Sequence, residues 1–271
     1  MKITFIGGGN MAVALIGGLI GKGHDPASIR VVEIQAEARA RLTAQFGVAC
    51  TDSVAAAAPL GEAVVLAVKP QQMRAAAQAL QPRLGRELVI TIAAGIRLVD
   101  LSRWLGGYAT LVRCMPNTPA LIGAGITGLY ANVGVDSAQR ALCESILGAV
   151  GATLWVPEES LLDPVTAISG SGPAYVFYFI EAVQQAAQEM GFSAADAKKL
   201  AVETFAGTAR LAAQSPENLA MLRERVTSKG GTTERALASM DADRVKDLIV
   251  RALHAANRRA RELGEQLGTD K

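Results

Sequence analysis

The sequence predicts an α/β domain of parallel strands and helices, followed by an all-α domain. Three observations support this prediction: a glycine-rich turn after the first strand, apolar strands that alternate with helices through the first half, and unbroken helical patterns in the second half. The character of the chain changes after Glu159. We therefore expect one domain over residues 1–159 and a second over residues 160–271.

The first dozen residues contain the glycine-rich turn. The apolar strand Ile3–Ile6 runs directly into three glycines, and an apolar helical run follows from Ala12. Residues 7–12 match the pattern G-x-G-x-x-A, in which the first glycine forms the turn and the second lets a pyrophosphate approach the backbone. A turn without a ligand is the plain alternative. We favour a Rossmann-type dinucleotide-binding domain, with contacts at Gly7, Gly8, Gly9, Asn10 and Met11.

Continuous apolar runs predict the other strands of the first domain. They are Ile29–Ile34, Ala63–Val68, Leu88–Ala93 and Thr110–Arg113. Unbroken runs of this kind, separated by helices, are typical of parallel strands that are buried on both faces. The carboxyl ends of such strands share one edge, where open α/β sheets bind ligands. This edge is predicted to add dinucleotide contacts at Glu33, Ala67, Val68, Lys69, Pro70, Ala94, Gly95, Asn117 and Thr118.

Glu33 bears on the choice of coenzyme. It ends the second strand, where an acidic side chain can accept a hydrogen bond from the ribose 2′-hydroxyl and repels a 2′-phosphate. The next basic residues are Arg39 and Arg41. The position favours NADH, although an exposed glutamate without a ligand is an alternative. Both NADPH and NADH stay open.

The second half of the chain carries helices with unusually wide apolar faces. Helices that include Tyr175–Val183 and Ala197–Leu211 are apolar over much of their circumference. Pro173 is well placed as a first helical residue, with Gly172 as a cap that leaves N–H groups free. A helical domain of this size cannot bury so much apolar surface alone. We therefore expect a homodimer built through the second domain.

A loop rich in hydroxyls and glycines lies between two of these helices, at residues 226–234. If Gly231 is the N-cap of the following helix, Glu234 stands at the third helical position and can cap the helix start. Free N–H groups at this end would suit a carboxylate. A helix cap without a ligand is the equal alternative.

Composition and charge argue against several classes of function. The formal net charge of +2 gives no reason to expect nucleic acid or an anionic membrane as a partner. Three widely spaced cysteines favour reduced thiols in a cytoplasmic protein, and His24 and His254 lack metal-ligand partners at a useful spacing. The apolar runs are too short to span a bilayer. We expect neither a metal site nor a membrane segment.

Six short motifs together resemble the pyrroline-5-carboxylate reductase family along essentially the whole chain. They are IGGGNMA at 6–12, AVKP at 67–70, AAGI at 93–96, RCMPNTPA at 113–120, SGSGPAYVF at 169–177 and TSKGGTT at 227–233. The resemblance implies a reductase that uses NADPH or NADH to convert Δ1-pyrroline-5-carboxylate to L-proline. It also implies an intertwined homodimer, with dimers assembled into larger rings such as a decamer. In that arrangement, one subunit's nucleotide domain works with the partner's helical domain.

The same resemblance implies roles for individual residues. Thr233 would donate a hydrogen bond to the ring nitrogen of the substrate, and residues 169–173 would lie near the nicotinamide. Chemistry is consistent with this, because holding the carboxylate and the nitrogen sets the geometry of hydride attack on an imine that is already electrophilic. The implied substrate contacts are Ser228, Gly230, Gly231, Thr232, Ser171 and Gly172.

One residue departs from the family pattern, and two other functions compete. Lys229 stands where the family usually has proline, so the loop loses a fixed φ and gains a positive charge near the expected carboxylate. A β-hydroxyacid dehydrogenase would need a catalytic lysine on a helix of the second domain, for which Lys198 and Lys199 are the candidates. A sensor that binds NAD(P) without turnover is the other alternative.

Overall fold

The computed structural model describes residues 1–268, so residues 269–271 of the predicted second domain lie outside the described part. Contacts between residues divide the chain into two units. Residues 1–171 and 256–268 form the first unit, and residues 172–255 form the second.

The first unit is built on one eight-stranded sheet. Its strand order is β3-β2-β1-β4-β5-β6-β7-β8, and every neighbouring pair is parallel except β6 with β7. Strands β1 to β8 are Ile3–Ile6, Ile29–Val32, Ala49–Thr51, Ala63–Leu66, Leu88–Thr91, Leu111–Met115, Gly125–Ala131 and Gly151–Trp155.

Helices cover both faces of this sheet. Phe5 and Val65 belong to a core cluster with residues of the first helix, whereas Val64 and Leu66 belong to a second cluster with residues of the third and fourth helices. Successive residues of a strand point to opposite faces, so the predicted burial on both sides is confirmed. Helices α1 to α6 are Asn10–Gly21, Ala36–Phe46, Met73–Leu80, Leu98–Trp104, Ser137–Leu147 and Leu162–Val165. Short 3-10 turns are Pro26–Ser28, Pro70–Gln72, Gln81–Arg83, Thr118–Ile122, Gly148–Val150 and Glu159–Leu161, and a π-helical turn follows α6 at Thr166–Gly170.

Three strands were not predicted from the sequence. β3 has only 3 residues, β7 begins with and contains glycine, and β8 alternates half-buried with exposed positions. None of these gives the long apolar run that marks a strand buried on both faces. β7 also runs antiparallel to β6, so it departs from the expected all-parallel pattern.

The second unit is helical, as predicted. Ser193 and Asn218 act as N-caps, because their side chains accept from the backbone N–H groups of Asp196 and Met221. The last helix begins at Val245, directly after Arg244, whose φ of 54° is a left-handed conformation. Helices α7 to α11 are Gly172–Glu189, Ala194–Gln214, Leu219–Arg225, Thr232–Ala242 and Val245–Leu267.

Large apolar side chains of the second unit are exposed in the single chain. Phe177 is 62% exposed, and Tyr178 and Leu219 are each 71% exposed. Surfaces of this kind usually mark contacts between proteins. Within residues 1–268, none of the helices has the length and apolar character needed to cross a membrane.

Candidate active site

The carboxyl ends of the parallel strands meet at one edge of the sheet. The register pairs Ile6 of β1 with Val32 of β2 on one side and with Leu66 of β4 on the other. Strand order therefore switches direction at β1, and ligands of open α/β sheets bind at such a point. Gly7 and Ala67, which directly follow β1 and β4, lie at this switch point.

The three glycines after β1 differ in whether the folded chain leaves room for a side chain. Gly7 has φ of 103°, and a Cβ atom there would lie 2.7 Å from the carbonyl oxygen of Ala67. A Cβ atom on Gly8 would lie 2.6 Å from the Cδ1 atom of Leu42. Gly9, by contrast, is the exposed N-cap of α1 with φ of −73°, and no heavy atom lies within 4 Å of its Cβ position. Only at Gly9 does the folded chain itself leave the space beside the backbone open.

The start of α1 is therefore suited to a phosphate group. The first N–H groups of a helix have no intrahelical acceptor, and the positive end of the helix dipole adds to them. Asn10, the first residue of α1, is exposed, and Met11 is half-buried. The open space at Gly9 and these N–H groups together fit a dinucleotide pyrophosphate.

The Glu33 carboxylate is held beside the glycine turn. Its Oε2 atom accepts a hydrogen bond from the backbone N–H of Gly8 at 2.9 Å, and its Oε1 atom accepts from the N–H of Gln35 at 2.9 Å. The Nη1 atom of Arg39 donates hydrogen bonds to the carbonyl oxygens of Glu33 and Ile34, at 2.8 Å and 2.9 Å. A negative charge is thus fixed at the end of β2, and the guanidinium of Arg39 is directed at backbone carbonyls.

The residues that follow β4 and β5 also lie at this edge. Val68 is half-buried and Lys69 is exposed, and a 3-10 turn begins at Pro70. After β5, Ala94 is half-buried, and Gly95 has φ of 76°.

Gly95 has a packing role that the sequence did not reveal. A Cβ atom on this residue would lie 2.7 Å from the Cδ1 atom of Leu267, near the end of α11. The contact joins positions far apart in the chain, so local pattern could not predict it.

Asn117 connects the end of β6 to the π-helical turn. Its Nδ2 atom donates to the carbonyl oxygen of Ser169 at 3.1 Å, and its Oδ1 atom accepts from the N–H of Ile126 at 2.9 Å. The neighbouring Thr118 is exposed and begins a 3-10 turn.

The segment before α7 corrects one expectation. A free N-cap was expected at Gly172, with Pro173 as the first helical residue. Instead, Gly172 is already helical and follows the π-helical turn, in which the N–H of Ser171 donates to the carbonyl oxygen of Thr166 at 2.8 Å. The winding is nearly continuous from α6, so this segment is not an open loop. Such π-turns often occur at functional sites.

A buried charged cluster beneath this turn was missed in the sequence. Arg113 is only 4% exposed, and its guanidinium lies 3.0 Å from Glu159 Oε1 and 3.6 Å from Asp163 Oδ1. The second carboxylate is also 3.8 Å from Arg97, and Glu159 accepts from the N–H of Leu98 at 2.8 Å. Scattered charges of this kind give no local motif, because they meet only in the fold.

The loop before α10 forms its own cap. Gly231 is the N-cap, as predicted, and Glu234 accepts from the N–H of Gly230 at 2.6 Å. The N–H of Gly231 donates to the carbonyl oxygen of Ser228 at 3.0 Å. Both glycine N–H groups therefore have acceptors within the loop. The first N–H groups of α10, at Thr232 and Thr233, are the ones that a helix start leaves free.

Other reactive side chains are poor candidates for catalytic or metal-binding groups. Burial, together with the Cys143 thiol 3.9 Å away, raises the pKa of Cys114 well above its ordinary value, so this thiol stays protonated at neutral pH. Cys50 is half-buried rather than buried. Lys198 and Lys199 are exposed on α8. Within the described part of the chain, no group of three or more His, Cys, Asp or Glu side chains could hold a metal ion.

Comparisons with protein families match both halves of the chain. Residues 159–263 match a family model described as pyrroline-5-carboxylate reductase dimerisation. Residues 2–95 match a model described as NADP oxidoreductase, coenzyme F420-dependent.

Individual relatives and solved structures match over nearly the whole length. A pyrroline-5-carboxylate reductase of Pseudomonas aeruginosa is 47% identical, over 98% of this chain and 98% of its own. One of Escherichia coli is 35% identical, over 97% and 98% of the two chains. The structure of such a reductase from Coxiella burnetii has a TM-score of 0.92 and 41% identity, covering 97% of this chain and 98% of its own. A Plasmodium falciparum pyrroline carboxylate reductase with NADP bound has a TM-score of 0.87 and 27% identity, with the same two coverages.

The matches to these two curated relatives cover 98% and 97% of this chain. This chain belongs to the pyrroline-5-carboxylate reductase family.

Proposed function

We propose that this protein reduces Δ1-pyrroline-5-carboxylate to L-proline with NADPH or NADH, which is the last step of proline biosynthesis. The observation that carries the proposal is a likeness to reductases of this name over 98% of both chains. The match includes both the glycine turn that suits a pyrophosphate and the hydroxyl-rich loop that suits a small carboxylate. Residues 1–159 are proposed as the coenzyme domain and residues 160–271 as the substrate and dimerisation domain.

The proposed chemistry needs positioning more than acid–base groups. The reduced nicotinamide supplies a hydride to the carbon of the imine, and the ring nitrogen takes up a proton from water. Ser228 and the first N–H groups of α10 would hold the substrate carboxylate, while the Thr233 hydroxyl would donate to the ring nitrogen. Thr233 is the second residue of α10, so no helical carbonyl lies four residues back to accept from its hydroxyl. Fixing both ends of a small cyclic substrate restricts the approach of the hydride.

Lys229 adds a local charge to this loop. It is exposed and precedes Gly230, whose φ is 72°. We propose that its ammonium group attracts the substrate carboxylate toward the start of α10.

A spectrophotometric assay of coenzyme oxidation tests the proposed function directly. Oxidation of NADH and of NADPH would be followed by the absorbance of the reduced nicotinamide in the presence of Δ1-pyrroline-5-carboxylate. Reduction of the oxidised coenzymes would be followed in the presence of a linear hydroxy acid. We expect oxidation of at least one coenzyme with the cyclic imine. Turnover of the hydroxy acid alone would support a β-hydroxyacid dehydrogenase, and coenzyme binding without any turnover would support a sensor.

Gly9→Ala is expected to weaken coenzyme binding without unfolding the protein. Because the Cβ position of Gly9 is open and its φ is −73°, the methyl group clashes only with a pyrophosphate that sits there. We expect the Kd for the coenzyme to rise by roughly tenfold or more, and the helix cap to lose about 0.5 kcal/mol. Fluorescence titration with NADH and a thermal melt measure the two effects.

Gly21→Ala is the matched control for this variant. Gly21 ends the same helix, and its Cβ position is equally open. This substitution should leave the coenzyme Kd unchanged. Equal affinities of wild type and Gly9→Ala would contradict a pyrophosphate at this turn.

Glu33→Gln is expected to shift coenzyme preference toward NADPH. The fixed carboxylate repels a 2′-phosphate, and glutamine removes the charge; its one acceptor oxygen can keep the bond from the Gly8 N–H, while the bond from the Gln35 N–H is lost. The ratio of kcat/KM for NADH to that for NADPH should fall by roughly tenfold, about 1.4 kcal/mol. Glu37→Gln, on the exposed first turn of α2, is the control for a general loss of negative charge. An unchanged ratio in Glu33→Gln would mean that the carboxylate does not face the ribose.

Assembly and location complete the proposal. We propose a homodimer formed through the helical domain, with dimers joined into a decamer. The match to a dimerisation model and the exposed apolar helices of the second unit support the dimer. A cytoplasmic location is supported by the three free cysteines.

A further inference from the structure

The carboxamide of Asn117 has a hydrogen-bond partner at each end. Its Nδ2 atom donates to the carbonyl oxygen of Ser169 at 3.1 Å, and its Oδ1 atom accepts from the N–H of Ile126 at 2.9 Å. One partner can only accept and the other can only donate, so the orientation of the amide follows from the backbone around it. The side chain bridges the start of β7 and the π-helical turn.

The π-helical turn also presses against the end of β6. A Cβ atom on Gly170 would lie 2.6 Å from the Cε atom of Met115, the last residue of β6. Within the turn, the Ser169 hydroxyl donates to the carbonyl oxygen of Val165 at 2.9 Å. The turn therefore packs closely against the end of the strand.

The charged cluster fixes the segment that leads into the turn. Arg113 lies on β6 four positions before Asn117, and its guanidinium faces the carboxylates of Glu159 and Asp163. Glu159 begins the 3-10 turn that precedes α6, and Asp163 lies within α6, which leads into the π-helical turn. The cluster holds the start of the segment on β6, and Asn117 holds its end.

We infer that Asn117 is a positioning residue, which fixes the Ser169 carbonyl and thereby the backbone of residues 169–171. The inference rests on the proposed function, in which this backbone lies beside the nicotinamide. Each polar atom of the Asn117 side chain makes a hydrogen bond to the chain, and the bond to Ser169 links the residue to this backbone. This differs from the sequence-based prediction of Asn117 as a coenzyme contact, and the two make different kinetic predictions.

Asn117→Asp tests the inference through its pH dependence. An ionised aspartate keeps the acceptor for Ile126 but turns a second acceptor toward the Ser169 carbonyl, whereas the protonated acid regains a donor. At pH 7.5 we expect kcat to fall by roughly tenfold, with the KM for coenzyme within about twofold of wild type. The ratio of variant to wild-type kcat should then rise as the pH is lowered toward about 5, since an aspartate facing a carbonyl oxygen has a pKa above the ordinary value of about 3.9.

Two further variants make the test specific. Asn132→Asp is the matched control, because the Oδ1 atom of Asn132 accepts from the N–H of Val133, at 2.8 Å, and aspartate keeps that role. Its kcat ratio should stay near 1 at every pH. Asn117→Ser cannot reach Ser169 in any protonation state, so its kcat should be lowered by a factor that does not change with pH. It also replaces Asn117→Asp as the test if that variant does not fold at pH 7.5.

The outcomes separate this inference from the proposed function. A raised coenzyme KM with unchanged kcat would overturn the inference in favour of direct coenzyme contact. An unchanged kcat in both Asn117 variants, or a loss in Asn117→Asp that does not recover at low pH, would also overturn it. Failure of the wild type to oxidise either coenzyme with Δ1-pyrroline-5-carboxylate would instead overturn the proposed function.

Discussion

Thr233→Val is expected to lower kcat by roughly 100-fold, equivalent to about 2.7 kcal/mol of transition-state stabilisation. Valine keeps the shape of threonine and its place in the first turn of α10, but it removes the hydroxyl that is proposed to donate to the ring nitrogen. That hydrogen bond matters most as the nitrogen gains electron density during hydride transfer. The Kd for the coenzyme should be nearly unchanged, because the glycine turn is a separate part of the chain.

Steady-state kinetics and a coenzyme titration measure the two effects. Thr204→Val is the matched control, since the Thr204 hydroxyl donates to the carbonyl of Leu200 within α8. Thr233→Ser keeps a hydroxyl and should recover most of the lost activity. Equal losses of turnover and coenzyme affinity in Thr233→Val would mean that the residue supports the structure and does not contact the substrate.

Arg113→Met is expected to lower the free energy of unfolding by about 3–5 kcal/mol. The guanidinium is almost fully buried and faces two carboxylates, so its removal leaves Glu159 and Asp163 as like charges without their shared partner. Asp163 keeps Arg97 at 3.8 Å, but holding the two carboxylates close together without their shared guanidinium is still costly. The Tm should fall by roughly 10 °C in a chain of this size.

Urea unfolding and thermal melts would measure this loss. Arg259→Met is the control, because its ion pair with Glu262 lies on the surface, where both side chains are 55% exposed. Surface pairs contribute about 0–1 kcal/mol. Replacing all three charges of the cluster together, with Glu159→Gln and Asp163→Asn added to Arg113→Met, should restore part of the stability. A single variant as stable as wild type would show that the cluster is not a structural support.

The predictable parts of the fold are those with local and repeated signals. β1, β4 and β5 are unbroken apolar runs, and the glycine turn follows β1 directly, so sequence pattern alone placed the edge that the coenzyme is expected to use. The cap at Glu234 also followed from spacing, since the third helical position can reach back to the loop.

The parts that escaped prediction depend on contacts between distant positions. Gly95 is crowded by Leu267, and Arg113 meets Asp163 only after the sheet has formed. The two hydrogen bonds of the Asn117 amide depend in the same way on contacts between distant positions. One of them is with Ile126 of β7, a strand that was not predicted because its glycines interrupt the apolar pattern. The π-helical turn at Thr166–Gly170 was not predicted, because its serine and glycine are residues typical of loops and turns.

The fate of the coenzyme hydrogen tests the central claim most directly. Wild-type protein would be incubated in ordinary water with Δ1-pyrroline-5-carboxylate and reduced coenzyme that carries deuterium at both C4 positions of the nicotinamide. We predict that each L-proline formed carries a single deuterium, bound to the ring carbon that was part of the imine, as read by mass spectrometry and NMR. Unlabelled proline, or no proline at all, would contradict direct hydride transfer to the cyclic imine by this protein.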